Sequence, residues 1–158
     1  MIVIDISKLP YRKGVGMVLL NKDNKVFVGK RVDTKSEAWQ MPQGGIDKGE
    51  TDDEAVLREL AEEVGTNKVE IISKSKYWYN YDLPEALVPK VWNGKYKGQR
   101  QKWFLIRFIG DDSDVNIATE HQEFCEWKWV DFEELLDMIV PFKREIYSYV
   151  MDEFRQLI

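Results

Sequence analysis

Residues 44–66 read GGIDKGETDDEAVLRELAEEVGT, and this stretch decides how the rest of the chain is read. It opens on Gly44 and Gly45, turns through Glu50, and then carries Glu59, Glu62 and Glu63 at helical spacing. At 100° per residue the three later glutamates fall within an arc of about 100°. Val56, Leu57, Leu60, Ala61 and Val64 fill a separate arc that can face a core. Carboxylates crowded on one helix face repel each other, and a bound cation offsets that repulsion. Hard oxygen ligands of this kind suit Mg²⁺ or Mn²⁺ better than zinc. Thr51 or Asp52 can cap the helix, and Asp52, Asp53 and Glu54 suit its positive end. Gly65 stops it. The segment reads as a metal-binding helix face directed at a phosphate substrate.

Working outward, residues 15–20 and 25–31 are β-rich runs joined by Asn21, Lys22, Asp23 and Asn24, a hairpin pattern. Residues 39–47, WQMPQGGID, read as a loop punctuated by Pro42 and the two glycines. Strands are expected at 69–81, 102–109 and 126–130, with a short helix over 132–138. From Phe142 onward Ile146, Tyr149, Val150, Phe154 and Leu157 recur at helical spacing and predict a terminal amphipathic helix. No repeat, low-complexity tract or linker interrupts this order, so a single domain over residues 1–158 is expected, of α/β class.

Composition narrows the chemistry. Of 158 residues, 44% are apolar and 13% aromatic, enough for a packed core rather than disorder. The formal charge of −5 argues against a protein that coats nucleic acid generally, and no role on DNA is expected. Cys125 is the lone cysteine and His121 the lone histidine, which disfavours a cysteine metal cluster and Ser/His/Asp or Cys/His catalysis. His121 reads as a surface residue and Cys125 as a small buried filler. No run approaches a membrane span, and the N-terminus has no secretory pattern, so a cytoplasmic monomer is the expectation.

The glycine-to-glutamate segment resembles the Nudix box, G-x5-E-x7-R-E-U-x-E-E-x-G-U with U aliphatic. Gly44, Glu50, Arg58, Glu59, Leu60, Glu62, Glu63 and Gly65 match at the right spacing. Thr66 departs where an aliphatic residue is wanted, a position that packs rather than reacts. The resemblance implies a Nudix-type α/β/α sandwich with a mixed β-sheet. Further matches lie at Tyr11-Arg12, in WQMPQGGI, at Gln99 and Gln101 to Leu105, from Glu123 to Val130, and at Phe142-Lys143-Arg144. Together they resemble bacterial RNA 5′-pyrophosphohydrolases and related dinucleoside polyphosphate hydrolases.

That resemblance implies roles. Glu59, Glu62, Glu63 and Glu123, with Gly44, would hold two or more Mg²⁺ or Mn²⁺ ions, and Glu62 would accept the proton of the attacking water. Glu123 could equally be an exposed acid in an acidic stretch. Glu50 and Arg58 would brace the loop against the helix, with Gly45 and Gly65 serving the motif's turns. Arg12, Arg31 and Lys143 would clamp phosphates, Val140 and Phe142 would pack on a nucleobase, and Gln40 and Gln43 would reach phosphate or water. The implied substrate is tri- or diphosphorylated 5′ RNA, leaving a monophosphate that nucleases of mRNA decay prefer; a diadenosine tetraphosphate-type hydrolase is the alternative. Between residues 86 and 107 no acid occurs, while lysines and arginines interleave with Trp92, Tyr96 and Trp103. That pattern suits single-stranded nucleic acid, with residues 95–100 as an RNA-facing loop and Trp103 in the core.

Overall fold

A computed structural model describes residues 5–33 and 36–158. Among these residues seven strands form one mixed sheet: β1 (Tyr11–Leu20), β2 (Val26–Arg31), β3 (Gln43–Gly45), β4 (Val69–Lys74), β5 (Tyr79–Asp82), β6 (Gly98–Phe108) and β7 (Phe124–Val130). The main path runs β4-β6-β1-β2-β7; β3 adds to β1 and β5 to β6. Among the described residues only β1 and β6 pair in parallel. Three α-helices among the described residues accompany the sheet: α1 (Asp52–Glu63), α2 (Leu135–Met138) and α3 (Arg144–Phe154).

The two central strands show why both faces of the sheet are covered. Val15, Met17 and Leu19 point to one side and join Phe104 and Ile106 beneath Val56, Leu60 and Val64 of the α1 segment. Val18 and Leu20 point to the other and join Trp103 and Leu105 beneath Tyr147, Val150 and Phe154 of α3. Successive strand residues face opposite ways, so near-continuous apolar runs are what a doubly covered sheet requires. Each fully buried large side chain contributes roughly 1.5–3 kcal/mol, so these two layers outweigh any single surface interaction. The result is the α/β/α sandwich with a mixed sheet.

Helix α1 begins and ends on the predicted signals. Thr51 Oγ accepts from the Glu54 N–H at 3.1 Å, while the Glu54 carboxylate accepts from the Thr51 N–H at 3.3 Å. Gly65 takes φ +74° and donates its N–H to Leu60 at 3.0 Å, a left-handed termination in which a side chain would overlap the Asn116 carbonyl.

Several expectations need correction. Leu57 and Ala61 are exposed, and Ala55 takes their place in the core, so the buried arc is rotated about the helix axis toward the side that carries Glu59 and Glu63. Tyr149 and Leu157 are likewise exposed; Tyr147 and Met151 complete the α3 stripe. The run 69–81 breaks at Ser75, whose hydroxyl accepts from the Trp103 N–H at 3.0 Å, leaving β4 and β5 as separate partners of β6. Strand β6 starts at Gly98, four residues before the predicted point, so part of the expected RNA-facing loop is strand. The predicted loop 39–47 contains β3. Cys125 is exposed, at the point where the β2–β7 register shifts between the Phe124 and Glu126 pairings.

Candidate functional site

Strand β3 lies against β1 with Gly44 opposite Val15, at the edge that faces the end of α1. A Cβ on Gly44 would overlap the Glu59 carboxylate, and one on Gly45 would overlap the Arg12 guanidinium. The two glycines therefore let an acid and a base approach the backbone from either side. Arg58 fastens the loop to the helix. It donates to Glu50 at 2.7 and 2.9 Å, to the Gly45 carbonyl at 2.8 Å, to Glu59 at 2.8 Å and to Glu62 at 3.2 Å. These charge-assisted bonds hold the Glu50 carboxyl down at about 2, with help from the Asp47 N–H.

A cleft of roughly 940 Å³ opens beside this brace. Its wall includes every predicted catalytic, metal-binding and substrate-binding residue: Glu59, Glu62, Glu63, Glu123, Gly44, Arg12, Arg31, Gln40, Gln43, Val140, Phe142 and Lys143. Gly45 and Arg58 line it too, while Glu50 and Gly65 stand behind it. Five sequence-distant regions thus meet: the start of β1, the end of β2, the β3–α1 unit, the residues before β7, and the turn before α3. Glu123 arrives because its carbonyl accepts from the Val32 N–H at 2.9 Å, extending the β2–β7 pairing past the strand ends.

The acids are unevenly placed. Glu59 and Glu63 are buried, at 8% and 6% exposure, whereas the Glu62 side chain is 37% exposed. Desolvation pushes the Glu59 carboxyl up to about 7 against the pull of Arg58. Burial likewise pushes Glu63 well above the usual carboxylate range, and the nearby Glu59 and Glu123 charges add to the effect. Among the described residues, no three acid, histidine or cysteine side chains converge as a ready ligand set. Arg58 draws Glu62 to itself, and Arg31 stands 3.5 Å from Glu123. The residues nonetheless fit a hard cation: Glu63 Oε2 is buried without a hydrogen-bond partner, and Glu59 rests in the space that Gly44 leaves.

Facing the acids are three cations. Arg12 stacks 5.2 Å from the Trp92 ring, and Arg31 makes a bidentate pair with Asp33 at 2.8 and 2.6 Å. Lys143 is only 6% exposed, with no carboxylate within 4.0 Å among the described residues. Its ammonium lies 5.3 Å from the Tyr81 ring and 5.8 Å from Phe142, and burial lowers its pKa to about 7, assisted by Arg31. Gln43 is less free than expected, because its amide donates to Tyr81 Oη at 3.1 Å and accepts from Gln101 at 3.2 Å. Gln101 in turn donates to Gln99 at 2.7 Å and accepts from the Trp103 indole at 3.0 Å. This buried amide chain supports the cleft floor. Gln40 is buried, and its backbone bridges to Gly29.

Sequence reading missed Tyr81, Gln99 and Tyr147 as parts of the site, and it offered Trp92 as a nucleic-acid-stacking aromatic without placing it in the catalytic cleft. Tyr147, on α3, accepts from the Met41 N–H at 2.7 Å and pins the segment entering β3. Trp92 reaches the cleft on a left-handed backbone, φ +49°, followed by Asn93 and Gly94 in the same region. The available signal was alternation: Gln99, Gln101 and Trp103 occupy every second position of a strand whose inner face is otherwise apolar.

The chain belongs to the Nudix family: the NUDIX domain matches residues 10–150. It is 58% identical over 150 residues to the RNA pyrophosphohydrolase of Rickettsia typhi, covering 95% of this chain and 93% of that protein. Against the RNA pyrophosphohydrolase of Rickettsia prowazekii the identity is 57% over the same shares. The fold is similar to the E. coli dihydroneopterin triphosphate pyrophosphohydrolase at TM-score 0.67 and 19% identity, covering 89% of this chain and 96% of that one. It is similar also to a C. elegans Ap4A hydrolase at TM-score 0.62 and 18% identity, covering 90% and 98%. At such identities these two structures speak for the fold.

Proposed function

We propose that this chain is an RNA pyrophosphohydrolase, a metal-dependent Nudix hydrolase that cleaves a phosphoanhydride bond at the 5′ end of tri- or diphosphorylated RNA. The product is 5′-monophosphate RNA, the form that decay nucleases prefer. One observation carries the reading: a single cleft sets four glutamates opposite Arg12, Arg31 and Lys143, with Phe142 and Trp92 at its wall. An anhydride needs its oxygens neutralised and a water aimed at phosphorus.

Glu59, Glu63 and Glu123, with Glu62, would hold Mg²⁺ or Mn²⁺, in two or more ions. A divalent ion bound there supplies neutralising charge to the phosphate oxygens. Glu62 is the reading's proton acceptor, because it is the most solvent-accessible of the three helix acids and so meets water most readily. Lys143, Arg12 and Arg31 hold the phosphates in register, and substrate phosphate takes Arg31 from Asp33. Val140 and Phe142 pack against a nucleobase. No helix among the described residues is long and apolar enough to cross a membrane; a cytoplasmic monomer of one domain is the form proposed.

The test compares kcat/KM for 5′-triphosphorylated RNA and diadenosine tetraphosphate, with Mg²⁺ and then Mn²⁺. RNA should lead. A preference for the dinucleotide of tenfold or more, about 1.4 kcal/mol of differential transition-state binding, would reassign the substrate.

A further inference from the structure

We propose a second, outer binding surface for the single-stranded RNA that follows the reacting 5′ end, built around Trp78 on the sheet face away from the buried amides. The proposal rests on the RNA pyrophosphohydrolase reading and adds to it where the rest of the strand lies. Strand pairing sets Lys13 opposite Arg100 and Arg100 opposite Asn80, so these side chains share one face. Gln99 and Gln101 point the other way, into the amide chain. On this outer face Lys13, Arg100 and Lys102 gather around the Trp78 indole at 5.9, 5.6 and 5.7 Å from its centroid.

Those separations lie close to the outer limit of about 6 Å for a cation–π contact, and the one hydrogen bond the three cations make among the described residues is a long 3.5 Å contact from Lys102 to the Lys76 carbonyl. None of the three has a carboxylate within 4.0 Å among the described residues. The acids nearby are committed elsewhere: Glu50 is bound by Arg58, and Asp52 and Asp53 face Lys74. A cluster of uncompensated cations around a half-buried indole is what a phosphodiester backbone with a stacking base would recognise. The surface continues into a shallow cleft of roughly 390 Å³ whose lining sets Lys13, Lys48 and Trp78 beside three acids already paired elsewhere, Asp47 and Glu50 with Arg58 and Asp52 with Lys74. Asp47 also lines the catalytic cleft, so the two meet at a common rim. A strand leaving the catalytic cleft past Asp47 reaches the Trp78 cations directly.

The test uses the paired exposed-face variant Arg100→Ala/Lys102→Ala. Three RNAs are compared: a 5′-triphosphorylated trimer, the same 5′ end extended to about 12 nucleotides, and a 5′-hydroxyl strand of that longer length; single-strand sites commonly span about 4–16 nucleotides. Losing two phosphate contacts should flatten the slope of log K against log salt by about 1.4, which at 0.1 M salt is about a 25-fold loss of affinity for the 5′-hydroxyl strand. The variant's kcat/KM should fall on the long triphosphorylated RNA and hold on the trimer. Unchanged affinity and salt slope for the 5′-hydroxyl strand would overturn the proposal while leaving the catalytic reading intact. Equal loss on trimer and long RNA would place the defect in the catalytic cleft and also overturn it. Wild-type protein that turns over neither RNA would instead defeat the pyrophosphohydrolase reading and this proposal with it.

Discussion

Replacing Gly44 by alanine should separate stability from activity. The new methyl group would occupy the space now filled by the Glu59 carboxylate, which must move by more than about 1 Å to reach ordinary van der Waals separation. The obstacle is the far end of a flexible side chain, and Gly44 has no positive φ, so the backbone can keep its course. Folding loses the Arg58–Glu59 bond, worth roughly 1.5–3 kcal/mol for a charged group. It regains about 0.4–1 kcal/mol from the stiffer unfolded chain. The net cost is then about 1–2 kcal/mol, a fall in Tm of roughly 2–8 °C at this size. Activity should suffer far more, because a 1 Å misplacement in a catalytic group costs on the order of 10²-fold. The assay is thermal unfolding together with kcat/KM on 5′-triphosphorylated RNA at saturating Mg²⁺. A folded variant whose kcat/KM stays within threefold of wild type would show that the position of Glu59 does not matter to the reaction.

Other outcomes follow from the same geometry. Glu62→Gln should lower kcat by on the order of 10²–10⁴ while leaving Tm near wild type, as expected of a positioned proton acceptor; near-normal turnover would remove Glu62 from that role. Lys143→Met should hold or raise Tm, since a buried ammonium with no carboxylate partner is costly, yet reduce kcat/KM on phosphorylated RNA. A loss of stability with unchanged activity would contradict both halves. The Glu59 carboxyl, raised to about 7, makes the metal-free protein pH-sensitive. Its folded pKa lies above the unfolded value, so its contribution is fully present below about 4.5 and lost as pH rises toward 7. The stability of wild type relative to Glu59→Gln should therefore fall over that window, by at most about 3 kcal/mol, in unfolding measured with a chelator. Saturating Mg²⁺ should flatten the dependence, and an identical pH slope with and without the ion would count against a cation at Glu59.

Much of this was readable in the chain because its signals were local. The cap at Thr51 or Asp52, the Gly65 termination and the glutamate spacing belong to one helix segment; the structure takes Thr51 as the cap and Gly65 as the stop. Which residues share a cleft was readable only through resemblance, since Arg12, Arg31, Glu123 and Lys143 come from four elements. Exposure was harder. Leu57 and Tyr149 have the right residue type and nearly the right phase, but the sheet's twist and the neighbouring turns decide which edge of a stripe is covered. The state of Lys143 and Gln43 was out of reach, because their surroundings are set by Tyr81 and Gln101 from distant segments. Trp92 stood out as an aromatic among cations, but nothing in its neighbours announced the left-handed backbone at which it joins the cleft.

The claim beneath all of this is that Glu59, Glu62, Glu63 and Glu123 grip divalent cations against a 5′ polyphosphate. Anomalous scattering from Mn²⁺ in crystals grown with a nonhydrolysable 5′-triphosphate RNA measures it most directly. Peaks should stand within roughly 2.5 Å of Glu59 and Glu63 oxygens, with Glu62 released from Arg58 and phosphate oxygens on the far side. Bound RNA with no peak at these side chains, and Glu62 still held by Arg58, would contradict it.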